Sequence, residues 1–249
     1  MSLLGRVRAF ARSNLLRLGV DARLTETALK DRKAAYLRNW LPLLRSAPRV
    51  VIDIGANIGQ FATLMRELSP GIELICIEPL DECQSRLKHA LANLGGATTL
   101  HHCAVGMNAG MALINRNEHT DSSSFLPLGE MHRQEWPFAS HTTGELVRVV
   151  RMDDLIDARN LPRPYIVKMD VQGFELSVIE SGPRTLTSSA AAIIECSSHQ
   201  LYNGQATFDD INTAMKSLGF VFRGILDQCV STKDLQIMQF DALFESTRL

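Results

Sequence analysis

No run of eighteen apolar residues occurs in the 249-residue chain, so the sequence carries no membrane-spanning helix pattern. It also lacks a C-x-x-C pair. The five cysteines, Cys76, Cys83, Cys103, Cys196 and Cys229, stand apart and without histidines at zinc-ligand spacing. Cys76, Cys103 and Cys196 sit in apolar, strand-like runs, where a free thiol behaves as a small hydrophobe, and a reducing cytoplasm is the simplest expectation. No G-x-x-x-x-G-K-[ST] sequence is present, which excludes a P-loop. Internal repeats and low-complexity tracts are absent as well. A formal net charge of -1 removes any global argument for a nucleic-acid partner, and none is expected.

What is present is an ordinary soluble composition, 45% hydrophobic and 21% charged, in a chain long enough for one substantial core. Charge is uneven at the start. Residues 1–20 contain Arg6, Arg8, Arg12 and Arg17 and no acid, with Leu3, Val7, Phe10, Leu15 and Leu18 at roughly helical spacing. The arginines interrupt it too often for a secretory h-region. The pattern predicts a helix lying across the domain or against a second subunit, with membrane-surface docking and a transit peptide as alternatives.

Residues 1–47 read as a helical extension, a cap or homo-oligomer contact, ending at Ser46, Ala47 and Pro48. From residue 48 the rhythm changes. Apolar runs at Val50 to Ile54 and Ile72 to Ile77 alternate with amphipathic stretches at Gly59 to Leu68 and Asp81 to Leu94, and Thr98 to Val105 reads as a third strand. Strands buried on both faces and alternating with helices predict an α/β domain, residues 48–249, around a doubly wound parallel sheet. The alternation pauses at about 106–150, where Met111 to Asn115 and Glu145 to Met152 read as strands joined by a polar segment. A connection of that length in a compact domain points to a lid or binding loop. The alternation resumes with Tyr165 to Asp170, a helix at Phe174 to Ser181, Ala191 to Cys196 and a helix at Phe208 to Leu218. Two closing strands are expected, Phe220 to Phe222 and Leu235 to Phe240.

Between the first strand and helix stands Asp53-Ile54-Gly55-Ala56-Asn57-Ile58-Gly59. A dinucleotide fingerprint is G-x-G-x-x-G, and here Asn57 occupies the position where a pyrophosphate needs bare backbone. Glu78, at the end of the second strand, is an acceptor-only carboxylate suited to both hydroxyls of a ribose, and Pro79 turns the chain away. Asp53 is placed to hold an ammonium or to order the glycine loop. A ligand with a ribose, an amino-acid end and no phosphate is S-adenosylmethionine.

These residues carry a resemblance. Asp53 to Gly59, Ile77-Glu78-Pro79 and K-M-D-V-Q-G-F-E at Lys168 to Glu175 resemble the class I methyltransferases of the FkbM family, as does R-M-D-D-L at Arg151 to Leu155 beside that family's T-L-D-D-L. The likeness spans about residues 48–200. Gln172 departs from it, standing where the family typically has Glu. The resemblance implies a Rossmann-like sheet of seven strands, mostly parallel, with the last antiparallel. It also implies that Gly55, Ala56, Asn57 and Gly59 pack against the methionine part of the cofactor, that Glu78 binds its ribose, and that Ala104 and Val105 flank its adenine.

For the chemistry, Asp170 ends the fourth strand and needs a partner, either substrate, cofactor or Lys168. Glu175 is suited equally to capping the following helix and to binding substrate. Glu195 ends the fifth strand, where it can bind sugar hydroxyls. Asp170 and Glu195 alone are a thin metal set, and no metal is expected. His199 is a second option for a base, and Ser122, Ser123 and Ser124 are equally placed for ligand contact or for a polar loop tip. The reading is O-methylation, and the resemblance implies a small-molecule or glycan acceptor. A nicotinamide oxidoreductase, opposed by Asn57, and a non-catalytic cofactor-binding protein, favoured by Gln172, are the rivals.

Overall fold

The computed structural model describes residues 26–248; the basic amphipathic stretch at residues 1–20 lies outside them. The chain begins with helix α1 (Glu26–Trp40) and a 3-10 turn (Leu41–Ser46). Strand β1 (Val50–Ile54), helix α2 (Gln60–Leu68), strand β2 (Glu73–Ile77), helix α3 (Asp81–Ala92) and strand β3 (Thr98–His101) follow. The insert contains β4 (Ala104–Val105), β5 (Gly110–Asn117), the short helix α4 (Glu130–Glu135) and β6 (Thr142–Val150). The remainder is α5 (Met152–Leu155), β7 (Tyr165–Met169), α6 (Glu175–Ser181), α7 (Pro183–Thr187), β8 (Ala191–Ser197), α8 (Phe208–Ser217), β9 (Phe220–Val230) and β10 (Ile237–Ser246).

Seven strands form the main sheet in the order β3-β2-β1-β7-β8-β10-β9. β1 pairs in parallel with β2 and β7, and β7 with β8, whereas β10 runs antiparallel between β8 and β9. This is the Rossmann-like arrangement that the resemblance implies. Every residue of β1 and β7 is buried, because helices cover both faces, and continuous apolar runs result. One face packs Val50, Ile52, Ile54 and Val167 against α6 and α8. The other packs Val51, Ile166 and Ile193 beneath Trp40, Phe61 and Met65. Trp40 of α1 meets Phe61 of α2 at 5.5 Å between ring centroids, so α1 is fastened over this second face.

The expected single strand from Thr98 to Val105 is two strands in two sheets. β3 ends at His101, while Ala104 and Val105 pair in parallel with Val149 and Val150 of β6 in a three-stranded sheet, β4-β6-β5. After the Glu78 N–H donates to His101 O at 3.1 Å, the next N–H on that side, that of Leu80, turns to Glu78 Oε1 at 2.9 Å, so the ladder to β3 stops there. The closing strands are longer than expected, eleven and ten residues. Leu235, expected to open the last strand, lies instead in the turn with φ +63°.

Candidate active site

Period-two alternation decides which side chains meet at the carboxyl end of the sheet. On the face beneath α1, Val51, Ile166, Ile193 and Leu243 form the apolar floor. Two residues on in β1, β7 and β8, and two residues back in antiparallel β10, stand Asp53, Lys168, Glu195 and Asp241, with Asp170 just past the end of β7. An apolar floor thus gives way to a row of ionisable groups across four adjacent strands. A cavity of about 470 Å³ opens above the row, walled also by the glycine loop, the insert and α1.

Of the twelve residues singled out from sequence, ten line this cavity; Gly59 and Glu175 do not. At one end, Asn57 N–H donates to Glu78 Oε2 at 2.8 Å and Leu80 N–H to Oε1 at 2.9 Å. Each oxygen keeps a free lone pair for a further donor. Asn57 adopts φ +48°, a left-handed conformation that Asn tolerates. Its Oδ1 accepts from Thr120 Oγ1 at 2.8 Å, tying the insert to the glycine loop. Gly55, at φ +81°, passes so close to β7 that an added Cβ would lie 1.9 Å from Asp170 O. Gly55→Ala is therefore expected to destabilise the fold by roughly 3 kcal/mol or more, a fall in Tm on the order of 10 °C by calorimetry. An unchanged Tm would contradict this packing.

Asp53 is 1% exposed, and its Oδ2 has no hydrogen-bond partner. Burial pushes its carboxyl up to about 7, against the lowering pull of Lys168. Glu78 is likewise pushed up to about 7 by burial, opposed by the N–H groups of Leu80 and Asn57.

At the other end, Lys168 is 4% exposed and pairs with Asp170 at 3.0 Å and Asp241 at 3.2 Å. Its ammonium also lies 5.7 Å from the centre of the Phe61 ring. Gln172 orders the acids. Its Nε2 donates to Asp170 Oδ1 at 2.9 Å and Glu195 Oε2 at 2.7 Å, while its Oε1 accepts from Tyr202 Oη at 2.7 Å. Gln239 Nε2 adds a second donor to Glu195, at 2.9 Å. Burial raises Asp170, but Lys168 and the donated hydrogen bonds outweigh it and hold the carboxyl below its usual range. Glu195 is raised well above its usual range, first by burial and then by the charge of Asp170. The two carboxyls are thus pulled in opposite directions, Asp170 down by its lysine and Glu195 up by burial.

Glu175 does not line the cavity. It accepts from Val171 N–H at 3.0 Å and Gly173 N–H at 3.1 Å, holding the turn that carries Gln172, whose φ is +55°. Ser124 Oγ donates to Gln172 O at 2.6 Å, and Ser123 Oγ accepts from Asn117 N–H at 2.9 Å; these two serines brace the insert, while Ser122 and Ser123 reach the cavity wall. His199 does not line it. Among the described residues, no three His, Cys, Asp or Glu side chains converge to hold a metal ion. Sequence reasoning missed Asp241, Gln239 and Tyr202, which come from distant segments that carry no local motif. It also left Tyr36 and Trp40 unassigned as cavity wall.

The model for the methyltransferase FkbM domain matches residues 53–222. The chain is 27% identical over 199 residues to the 2-O-methyltransferase NoeI of Sinorhizobium fredii, covering 76% of this chain and 82% of that protein. It is 22% identical over 198 residues to the hexuronic acid methyltransferase AglP of Haloferax volcanii, covering 66% and 82%. Among solved structures, the ribosomal protein L11 methylase of Lactobacillus delbrueckii subsp. bulgaricus is similar with a TM-score of 0.46 at 11% identity, over 86% of this chain and 79% of that one.

Proposed function

Because the chain belongs to the FkbM methyltransferase family, we propose that it transfers the methyl group of S-adenosylmethionine to an oxygen of a small-molecule or sugar-containing acceptor. The observation that carries this reading is the pairing, in one cavity, of two unspent carboxylates with a third acid beyond them. Asp53 Oδ2, buried and without a partner, meets the need of an ammonium. Glu78, fixed by two backbone N–H groups, meets the need of two ribose hydroxyls. The residues therefore fit the cofactor, which supplies an electrophilic methyl on a sulfonium. Gly55, Ala56 and Asn57 form the wall along its amino-acid end, Gly59 opens α2 behind them, and Pro79, Ala104 and Val105 flank the base.

The acceptor end does the remaining work. In-line transfer needs the acceptor held at near-attack distance in a site shielded from water. A hydroxyl acceptor must also shed its proton. Asp170, held below its usual range and 34% exposed, is the acid placed to accept it on a remaining lone pair; Glu195, pushed up by burial, serves to orient hydroxyls. Glu175 acts through the loop, by fixing the turn that presents Gln172. The insert, residues 106–150, and α1 choose the acceptor. No described helix is long and apolar enough to cross a membrane, and the five free thiols support a site of action in a reducing cytoplasm.

Affinity should depend on pH in a defined direction. Asp53 and Glu78 are both raised to about 7, and only the ionised forms serve an ammonium and two hydroxyl donors. Below that pH they are protonated and must ionise on binding, so affinity falls as pH falls. Between pH 8 and pH 6 titration calorimetry should record at least about a tenfold loss in affinity, with proton release visible as a buffer-dependent enthalpy. Equal affinity at both values would remove the ammonium and ribose roles. The overall reading is tested by release of S-adenosylhomocysteine with a hydroxylated acceptor.

A further inference from the structure

The charge balance of the acceptor end narrows the class of molecule that this site takes. Six carboxyl side chains line the cavity, and Lys168 is its one Lys or Arg among the described residues. That lysine is already committed to Asp170 and Asp241. The wall beyond Glu78 and Asp53 is therefore Asp170, Glu195 and Asp241, interleaved with the amides of Gln172 and Gln239. The carboxyl lone pairs and the second Nε2 hydrogen of Gln239 offer both acceptors and a donor, the combination that matches a hydroxyl, which both gives and takes a hydrogen bond. A carboxylate substituent on the acceptor would find no uncommitted lysine or arginine and would stand against the carboxylate of Asp170.

The mouth supplies the other half of the recognition. Phe138, in the insert, is 66% exposed yet belongs to the cavity wall. Its ring is held edge-on by His119 at 4.9 Å, and Trp136 stands nearby in sequence on the same wall. An exposed flat ring in the same cavity as a row of hydroxyl-reading groups suits a molecule with one apolar C–H face and a rim of hydroxyls. That description is a pyranose ring.

We infer that the acceptor is an uncharged sugar, seated with its hydroxyls on Asp170, Glu195 and Gln239 and a C–H face on Phe138, and that sugars bearing a carboxylate are rejected. This rests on the methyltransferase reading and deepens it. It also sets the chain apart from the relative named for hexuronic acid.

The test uses the full chain with S-adenosylmethionine and a set of methyl glycosides: neutral hexoses and 6-deoxyhexoses, the matching hexuronates, and the methyl esters of those hexuronates. Product is followed by mass spectrometry and cofactor binding by calorimetry on the same sample. The expected result is transfer to a neutral glycoside with kcat/KM on the order of a hundredfold or more above the matching hexuronate, and recovery of activity when the hexuronate is esterified. Phe138→Ala, at an exposed position, should raise KM for the neutral sugar about tenfold with kcat and cofactor affinity unchanged. Equal or preferred use of hexuronates overturns the inference but leaves the methyltransferase reading intact. Cofactor binding with no transfer to any of these sugars also overturns the inference. An unaltered KM in Phe138→Ala removes the aromatic seat. Failure to bind S-adenosylmethionine at all brings down the parent reading, and the inference with it.

Discussion

Glu78→Ala should lower affinity for S-adenosylmethionine by a hundredfold or more. Two charge-assisted hydrogen bonds to ribose hydroxyls are lost, each contributing roughly 1.5–3 kcal/mol, and about 1.4 kcal/mol corresponds to a factor of ten. The same change leaves the N–H groups of Asn57 and Leu80 without their acceptor, so the loop that carries the rest of the site loosens too. Glu78→Gln separates binding from folding. Burial raises the Glu78 carboxyl to about 7, above its value in an unfolded chain. Its contribution to stability is thus fully present only at low pH and is lost as pH rises through about 7. At pH 8 Gln removes a costly buried charge but sets its NH2 against one of the two backbone donors, so the free variant should melt close to the parent while binding the cofactor poorly. Thermal melts and calorimetry on both variants check this. Full affinity in Glu78→Ala would overturn the ribose contact, and a parallel collapse of Tm and affinity in Glu78→Gln would reduce the effect to folding.

Asp170→Asn should separate chemistry from binding. The substitution preserves shape and leaves Glu78, Asp53 and the glycine loop unaltered, so cofactor affinity should stay within about threefold. The carboxylate that takes the acceptor's proton is gone, and turnover should fall by about 10²- to 10⁴-fold. Asp241 remains to pair Lys168 at 3.2 Å, so the lysine keeps a partner and the fold should survive. The charge of Asp170 is the second largest influence raising Glu195. Without it Glu195 ionises more readily, and any residual activity should rise with pH. Single-turnover measurements across pH would show this. Retention of more than about a tenth of the parent rate would remove Asp170 from the role of base.

The alternating architecture was legible because burial on both faces of β1, β2, β7 and β8 forces apolar runs, against which a terminal Asp53, Glu78 or Glu195 is conspicuous. Gly55 and Asn57 were legible for a related reason, since few residues tolerate left-handed backbone beside a neighbouring strand. Other features had no local signal. Ala104 and Val105 read as the tail of β3 because they are apolar and contiguous with it, yet they pair with Val149 and Val150. Glu175 looked equally like a cap and a substrate ligand, and both roles call for an acid at that point of the chain. Tyr202 and Gln239 carry no motif, and their meaning comes from the amide and the carboxyl that they touch.

The residues alone determined the order of strands and helices, the glycine loop and the acids at the strand ends, because each follows from backbone sterics or from the cost of burying charge along one segment. Only the tertiary structure decided which of those acids share a cavity and in which direction the titration of each is shifted. That is because β10 enters the sheet beside β8, bringing Asp241 to Lys168 across 73 positions of chain, and a carboxyl's ionisation depends on neighbours in space rather than in sequence.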